Sequence, residues 1–523
     1  MAGILRAVLS TSVATALSRL TGFVRTTVAA AVLGTGIVAD AYTVSSGLPT
    51  LLYDLFMGGI LWSIFVPLLV ERMTTYGEED ARRLTNALLT LILPFLAILT
   101  LLGIVFARPF VELTTNWTGS KELSTHEAQE TFDLAVFLFR FFVLNIFFYG
   151  IGTIGTGVLN AHRRFFIPTF VPVLNNLFAI ACFLGYALLV SRNPQAAVFL
   201  LAATTLGVAL MSLALLPPMY RLGYKVRPVF GHPALLPAAR LASFMLVFVA
   251  AGSGVQFVVY LLGTSFNAAA QLGYAFVIFS LPYGIFVIAL ETALMPELSE
   301  RYARGDEAGY RDTLSFGLRT MAFIIVPASV GLVVLAIPIV GLLYERGNFT
   351  PEDTAVVANL LIAYSVGLLG FAAYFLLIRA FYSRQNTRTP ALLNVSLFAL
   401  YAVLAYSLSY GVGLVGVALA YSVVSLVLTV FGLAAMKREV GSIDGKRLSR
   451  SLARMLAAGA VMYAVARVGT AILGTGSDVL ERVVILVVVG GVSLAAYTGA
   501  AYLLGTEEFK AVATMLRRRV ERA

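Results

Sequence analysis

Two arginines lie inside the first long apolar segment, where a charged side chain is costly unless it has a role. At helical spacing, one stripe of this segment contains Thr11, Thr15, Ser18, Gly22 and Arg25. Arg19 lies about 120° around the helix from Arg25, so both long side chains can reach one cavity. Such a polar stripe faces protein or water rather than lipid, so Ser18, Arg19 and Arg25 are candidate site residues. The alternative is a structural pairing with helix-end carbonyls or with carboxylates.

A carboxylate lies in the middle of the second apolar segment. This segment contains an unusual number of helix-breaking residues, which indicates a bend against a cavity: Gly47, Pro49, Gly58, Gly59 and Pro67. Asp54 lies at about the same depth as Arg25, so an ion pair between them is possible, and its role in structure or gating is left open. Asp40 begins the segment and is a candidate site residue, with a helix N-cap as the alternative.

Other charges near the predicted helix ends are expected to extend to the membrane interface. We expect this of Glu291 and Glu297. The same expectation applies to four arginines within a few turns of helix ends: Arg140, Arg319, Arg379 and Arg467. None of these residues is assigned to a site.

The motifs of soluble enzymes are missing from the sequence. It contains no phosphate-binding loop, and the three histidines, His126, His162 and His232, lie in different loops without zinc-site spacing. The lone cysteine, Cys182, cannot form an intramolecular disulfide. We therefore expect no enzyme activity, no catalytic residue, no metal and no cofactor. A membrane glycosyltransferase would need paired carboxylates in a large loop, but the longest loop, residues 107–132, has only scattered acids.

The elements that position these residues are membrane helices. Of the 523 residues, 59% are hydrophobic and only 12% are charged, with a mean hydropathy of +0.90. Average soluble domains have about 25% charged residues, so the sequence predicts one all-α polytopic membrane domain. About fourteen helices are predicted, near residues 8–33, 43–70, 86–106, 133–158, 168–190, 196–218, 241–262, 270–296, 315–344, 355–380, 390–411, 413–436, 452–474 and 482–505.

The basic residues predict the orientation of these helices. Five of the 37 Lys and Arg residues fall on one side, namely Arg108, Lys121, Arg192, Arg346 and Arg482. Seven lie within helices or at their ends, namely Arg19, Arg25, Arg140, Arg319, Arg379, Arg454 and Arg467, and the remaining 25 fall on the other side. By the positive-inside rule, both termini are cytoplasmic. The net charge of +10 is thus topological, and nucleic acid is not an expected partner.

Several sequence segments resemble a known transporter family. They are Ser18–Arg25, Ala39–Tyr42, Leu48–Pro49, Phe65–Pro67, Leu159–Arg163 with Ile167–Pro168, Met295–Ser299, Tyr344–Thr350, Ala363–Gly367 and Phe381–Pro390. Together they resemble the MurJ (MviN) lipid II flippases of the multidrug/oligosaccharidyl-lipid/polysaccharide exporter superfamily. The last two predicted helices match only in hydropathy.

The resemblance implies two six-helix lobes around a central cavity plus two C-terminal helices. The expected parts are an N-terminal lobe at residues 1–220, a C-terminal lobe at 221–436, and two helices with a basic tail at 437–523. It implies flipping of lipid II, a peptidoglycan precursor, to the periplasmic leaflet of the bacterial inner membrane by alternating access. Arg19, Arg25 and Asp40 match functional positions of the family, and the resemblance implies that cations in the cavity hold the pyrophosphate and head group. Because the sequence has no nucleotide-binding domain, we expect transport to use an ion gradient, the membrane potential or downhill substrate flow.

The sequence also departs from the family pattern at cationic positions. Tyr53 and Asp54 replace a basic pair, and Gly58 replaces an acidic residue. In the eighth helix, Phe276 and Val277 replace an Asp-Arg pair, and Ser280 stands where a glutamate is common. We therefore expect a weaker grip on pyrophosphate. The alternative function is export of another lipid-linked glycan or of a less anionic amphiphile.

Overall fold

All regular elements in the described part of the chain are helical. The computed structural model describes residues 2–55, 65–120 and 122–509, and in this range the side chains of 2–10, 12 and 236–243 are not described. Gly58, Gly59 and the basic tail at 510–523 lie outside the described residues. The helices are α1 Ala2–Leu33, α2 Ile37–Tyr53, α3 Val66–Thr75, α4 Glu78–Val105, α5 Ala107–Thr114, α6 Thr125–Phe142, α7 Leu144–Ala161, α8 Phe166–Leu189, α9 Pro194–Leu213, α10 Leu216–Arg221, α11 Leu235–Ser265, α12 Ala269–Pro282, α13 Ile288–Ala303, α14 Glu307–Val334, α15 Ala336–Tyr344, α16 Pro351–Ser365, α17 Leu368–Ser383, α18 Arg388–Val412, α19 Leu414–Val440, α20 Gly445–Leu473 and α21 Val479–Leu503.

The prediction of a polytopic helical membrane protein is confirmed. Within the described residues, twelve helical segments are long and apolar enough to cross a membrane. The pair α16 and α17, bent by 50° at its break, makes a thirteenth. The remaining predicted span, residues 43–70, contains residues 56–64, which are not described. The predicted count of about fourteen is therefore close to the observed one.

The break between α16 and α17 lies at Gly367, where α19 packs closely against the chain. A Cβ atom at this position would lie 2.3 Å from the Cα of Ser422, so only glycine permits this approach of α19. The Ser422 hydroxyl accepts a hydrogen bond from the Gly367 N–H at 3.0 Å and donates to the Ala363 carbonyl at 2.6 Å. Backbone groups freed by the break are thus satisfied inside the protein, as a membrane helix requires.

Two helix starts are encoded by capping sequences. Ser124 and Glu127 form a reciprocal capping box at the start of α6, and Thr350 and Asp353 form another at the start of α16. Each box satisfies backbone N–H groups that the first helical turn leaves without partners. The sequence around residues 124 and 350 therefore fixes where these two helices begin.

The chain forms two compact units. Unit 1 consists of Met1–Ala270 and Arg346–Phe349, and unit 2 consists of Gln271–Glu345 and Thr350–Ala523. In unit 1, the first helix packs on α8, and α2 packs on α6 and α11. In unit 2, α17 is surrounded by α13, α14 and α19. The predicted lobes at residues 1–220 and 221–436, with 437–523 beyond them, stay a prediction.

Within unit 2, the last two helices are fixed to α14 by a buried ionic network. The Arg319 Nη1 atom lies 2.7 Å from Glu508 Oε1 and 3.0 Å from Glu507 Oε2. Glu508 also accepts a hydrogen bond from Ser451 of α20 at 2.9 Å. The expectation that Arg319 extends to the interface is wrong, because its side chain is 6% exposed and is held by these carboxylates.

Candidate functional site

The candidate cations of α1 lie in unit 1 and are accessible. Arg19 is exposed, while Ser18 and Arg25 are half-buried. Within the described residues, neither arginine has a carboxylate within 4.0 Å. A guanidinium without a carboxylate partner keeps its hydrogen-bond donors available for an anion. The alternative of a structural ion pair for these arginines is therefore not observed in this conformation.

The packing of α1 on α8 explains part of the polar stripe. Asn176, which is 6% exposed, donates from Nδ2 to the Ser18 carbonyl at 3.3 Å and to the Thr21 hydroxyl at 3.1 Å. A Cβ atom at Gly22 would lie 3.4 Å from the same Nδ2 atom. Gly22 and the Ser18 backbone thus face protein. The stripe provides the α8 contact as well as candidate binding groups.

Asp54 lines a cavity of about 310 Å³ in unit 1. Most of the polar groups around it are hydroxyls, which are supplied by Thr50, Tyr53, Tyr149, Thr153, Thr156 and Ser212. Tyr53 is 6% exposed, and its hydroxyl lies 2.5 Å from that of Thr153. Tyr53 stands where the family pattern has a cation, and in this chain it packs α2 against α7. Hydroxyls and one carboxylate can hold a cation, a proton or water.

The proposed pairing of Arg25 with Asp54 is absent in this conformation. Among the described side chains, no carboxylate lies within 4.0 Å of Arg25, and Asp54 has no ion-pair partner. Asp54 and Tyr149 line the same cavity, and Arg25 is not among the residues that line it. Equal depth along two helices is therefore insufficient, because rotation about each helix axis also decides whether two side chains meet.

Asp40 belongs to α2, and its fully buried side chain lies at the start of another helix, α12. Its Oδ2 accepts from the backbone N–H of Ala269 at 3.1 Å, and its Oδ1 accepts from that of Ala270 at 2.8 Å. These two residues begin α12, so the carboxylate satisfies two donors of a first helical turn. The expected N-cap of α2 is instead Gly36. Substrate contact by Asp40 stays a prediction.

Unit 2 contains a charged pair to which sequence reasoning gave no site role. Glu291 is 3% exposed, so its predicted extension to the interface is wrong. One of its oxygens lies 3.5 Å from Arg379 Nε. The signal available in the sequence was spacing: Phe371, Phe375 and Arg379 repeat every four residues along α17.

The described residues contain no group of three or more His, Cys, Asp or Glu side chains arranged to hold a metal ion.

Relatives of known description are similar to this sequence along most of its length. A family model described as lipid II flippase MurJ matches residues 29–487. A probable lipid II flippase MurJ from Rhizobium meliloti (strain 1021) is 29% identical over 516 residues, which cover 97% of this chain and 94% of the relative. A lipid II flippase MurJ from Burkholderia cenocepacia is 30% identical over 400 residues, or 74% of each chain.

Solved structures share the fold. A structure titled lipid II flippase MurJ, inward closed conformation, superposes with a TM-score of 0.77 at 21% identity, covering 96% of this chain and 99% of that one. An inward-facing multidrug resistance MATE family transporter gives a TM-score of 0.65 at 16% identity, covering 84% and 99%. Because the family model spans most of the sequence and the helical fold agrees, the chain belongs to the MurJ lipid II flippase family.

Proposed function

We propose that this chain is a lipid II flippase that moves the lipid-linked peptidoglycan precursor from the cytoplasmic to the periplasmic leaflet. The observation that carries this proposal is a polytopic helical protein of the MurJ family whose first span contains two arginines without a carboxylate partner among the described residues. A pyrophosphate group needs cationic donors, and Arg19 and Arg25 offer them without first breaking an ion pair.

The proposed site residues have different roles. Arg19, Arg25 and Ser18 contact the pyrophosphate and the adjoining head group. Asp54, in the hydroxyl-lined cavity, is the proposed acidic group of the site. Asp40 supports the site by capping α12 through Ala269 and Ala270. Transport proceeds by alternating access between the lobes at residues 1–220 and 221–436, while 437–523 adds two helices and the basic tail.

The proposed location is the bacterial inner membrane, with both termini in the cytoplasm. The distribution of 25 basic residues on one side and five on the other supports this orientation. The substrate and the membrane lipids are the expected partners, and neither nucleic acid nor a cofactor is expected. The chain carries out transport rather than catalysis, with an ion gradient or the membrane potential as the source of energy. The alternative role of Asp54 is ion coupling, because a half-buried carboxylate in a hydroxyl-lined cavity can bind a proton or a cation.

The relatives do not favour the alternative of an exporter for another lipid-linked glycan. Complementation tests the proposal directly, because a cell depleted of its own lipid II flippase survives only if this chain moves lipid II. We expect growth to be restored by the wild-type chain and not by Arg25→Ala produced at equal abundance. Failure of the folded wild-type chain to restore growth would contradict the proposed substrate.

A further inference from the structure

In unit 2, α13 with the turn before it packs against α17 through aromatic rings, and the ion pair of Glu291 and Arg379 lies next to these rings. Tyr283 and Glu291 lie on one face of the segment formed by the π-helical turn Tyr283–Val287 and α13. They oppose Phe371, Phe375 and Arg379, which share one face of α17. The Tyr283 ring lies 5.0 Å from the Phe371 ring and 5.4 Å from the Phe375 ring. Single π-helical turns often occur at functional sites, and this one aligns the tyrosine with the aromatic pair.

Glu291 and Arg379 differ in their exposure to solvent. Glu291 is 3% exposed, whereas the Arg379 side chain is 55% exposed. Every other residue of α17 is buried or half-buried, so Arg379 is the one exposed position on this helix. Glu291 is thus the buried partner of the pair, and Arg379 is the exposed one.

The contact leaves most of the guanidinium free. Glu291 meets only the Nε atom, at 3.5 Å, and among the described residues the two Nη groups have no hydrogen-bond partner. Two Nη groups form a planar fork that matches two oxygens of a phosphate. The Tyr283 hydroxyl donates to Glu291 at 3.4 Å, which further fixes the carboxylate. Glu291 therefore orients the guanidinium without occupying its fork.

An aromatic cluster occupies the part of α12 where the family pattern has a charged pair. Phe276, where the family pattern has an acidic residue, packs 5.6 Å from Tyr364 and 5.7 Å from Tyr421. The neighbouring Val277 is apolar, so this part of α12 offers no positive charge. Arg379 lies beyond the cluster, five residues before the end-cap residue Arg384.

We propose that Arg379 binds the phosphate of a lipid-linked diphosphate, with Glu291 as its positioning residue. The proposal rests on the proposed flippase function and places a cationic contact in unit 2. The chemistry that Arg379 recognises is a phosphate with two accessible oxygens. Burial of the hydrocarbon chain would add to the affinity for a lipid diphosphate, and free pyrophosphate lacks this contribution.

Calorimetric titration of the purified full-length protein in detergent tests this site. The probes are farnesyl diphosphate, farnesol and inorganic pyrophosphate, which separate the lipid diphosphate from its chain and from its anion. We expect Arg379→Ala to weaken farnesyl diphosphate binding about tenfold or more, which corresponds to one charge-assisted phosphate contact, and to leave farnesol binding unchanged. Arg379→Lys keeps the charge but loses the fork, so an intermediate affinity is expected. Tight binding of pyrophosphate alone that also depends on Arg379 would overturn the assignment to a lipid.

Matched variants keep the result interpretable. Arg388→Ala removes an exposed arginine from the start of α18 that has no ion pair among the described side chains, and its affinity should equal that of wild type. If Arg379→Ala fails to fold because it strands a buried carboxylate, the double variant Glu291→Gln/Arg379→Ala removes that charge, and it should fold and still bind weakly.

We expect Glu291→Gln alone to lower the affinity for farnesyl diphosphate, and a higher affinity would overturn the positioning role. If Arg379→Ala binds farnesyl diphosphate as tightly as the wild type does, the role of Arg379 would be overturned and the proposed function would stand. A wild-type chain that neither binds it nor complements would overturn the proposed function as well.

Discussion

Arg319 of α14 and Glu508, which follows α21, form an ion pair of 2.7 Å in which the side chains are 6% and 2% exposed. Removing one partner of a buried pair leaves an uncompensated charge, at a cost of about 3 kcal/mol or more. We therefore expect Glu508→Ala to lower the thermal unfolding midpoint in detergent and to loosen α20 and α21. The double variant Arg319→Met/Glu508→Leu should regain most of the lost stability. Equal stability of Glu508→Ala and wild type would contradict this role.

Asp40 is expected to stabilise the start of α12 rather than to contact the substrate. Asp40→Ala would leave the N–H groups of Ala269 and Ala270 without acceptors in a fully buried position. We expect a loss of about 2 kcal/mol or more in the free energy of unfolding. The affinity of the protein that remains folded for farnesyl diphosphate should be unchanged. A large loss of affinity with unchanged stability would instead support direct substrate contact.

Arg25 is expected to matter for transport more than for folding. It is half-buried and has no carboxylate partner among the described residues, so truncation strands no opposite charge. We expect Arg25→Ala to lose transport while its free energy of unfolding changes by about 1 kcal/mol or less. Growth of a flippase-depleted strain and membrane abundance provide the two measurements. Loss of the folded protein would favour a structural role, and Arg25→Lys serves as the charge-preserving control.

Asp54 has no ion pair among the residues that the structure describes, so its neutralisation should not destabilise the protein. Asp54→Asn keeps the shape of the side chain and removes the cost of a charge inside a membrane helix. We expect equal or higher thermal stability, and tighter binding of farnesyl diphosphate because the cavity becomes less negative. Binding that is unchanged, together with loss of transport, would indicate a site for a proton or a coupling cation. Lower stability would indicate that the carboxylate has a partner in another conformation.

Ser442 and Ser477 are exposed and flank α20, so they test the orientation with one helix between them. In a background where the buried Cys182 is replaced by alanine, each serine is changed to cysteine in turn. We expect an impermeant thiol reagent added to intact cells to label Ser477→Cys and to leave Ser442→Cys unlabelled. Permeabilised cells should label both. The reverse pattern in intact cells would place both termini on the periplasmic side.

The sequence by itself determined the fold class and the position of nearly every span. Burial in a bilayer requires about 20 consecutive apolar residues, and that requirement is visible in composition alone. The motifs around Arg19, Arg25 and Phe381–Pro390 also sufficed to indicate the family, which the family model confirms over residues 29–487. These properties depend on local composition and on spacing along the chain.

Only the tertiary structure decided which charges meet. Arg25 and Asp54 share a depth but not a contact, whereas Asp40 reaches Ala269 and Ala270 from more than 200 positions away. Glu291 and Arg319 were expected at the interface, yet each is buried with a partner from a distant helix. Hydropathy gives the depth of a residue in its own helix, but the rotation and packing of that helix depend on side chains throughout the unit. Long-range ion pairs therefore follow from the packed structure and not from the sequence alone.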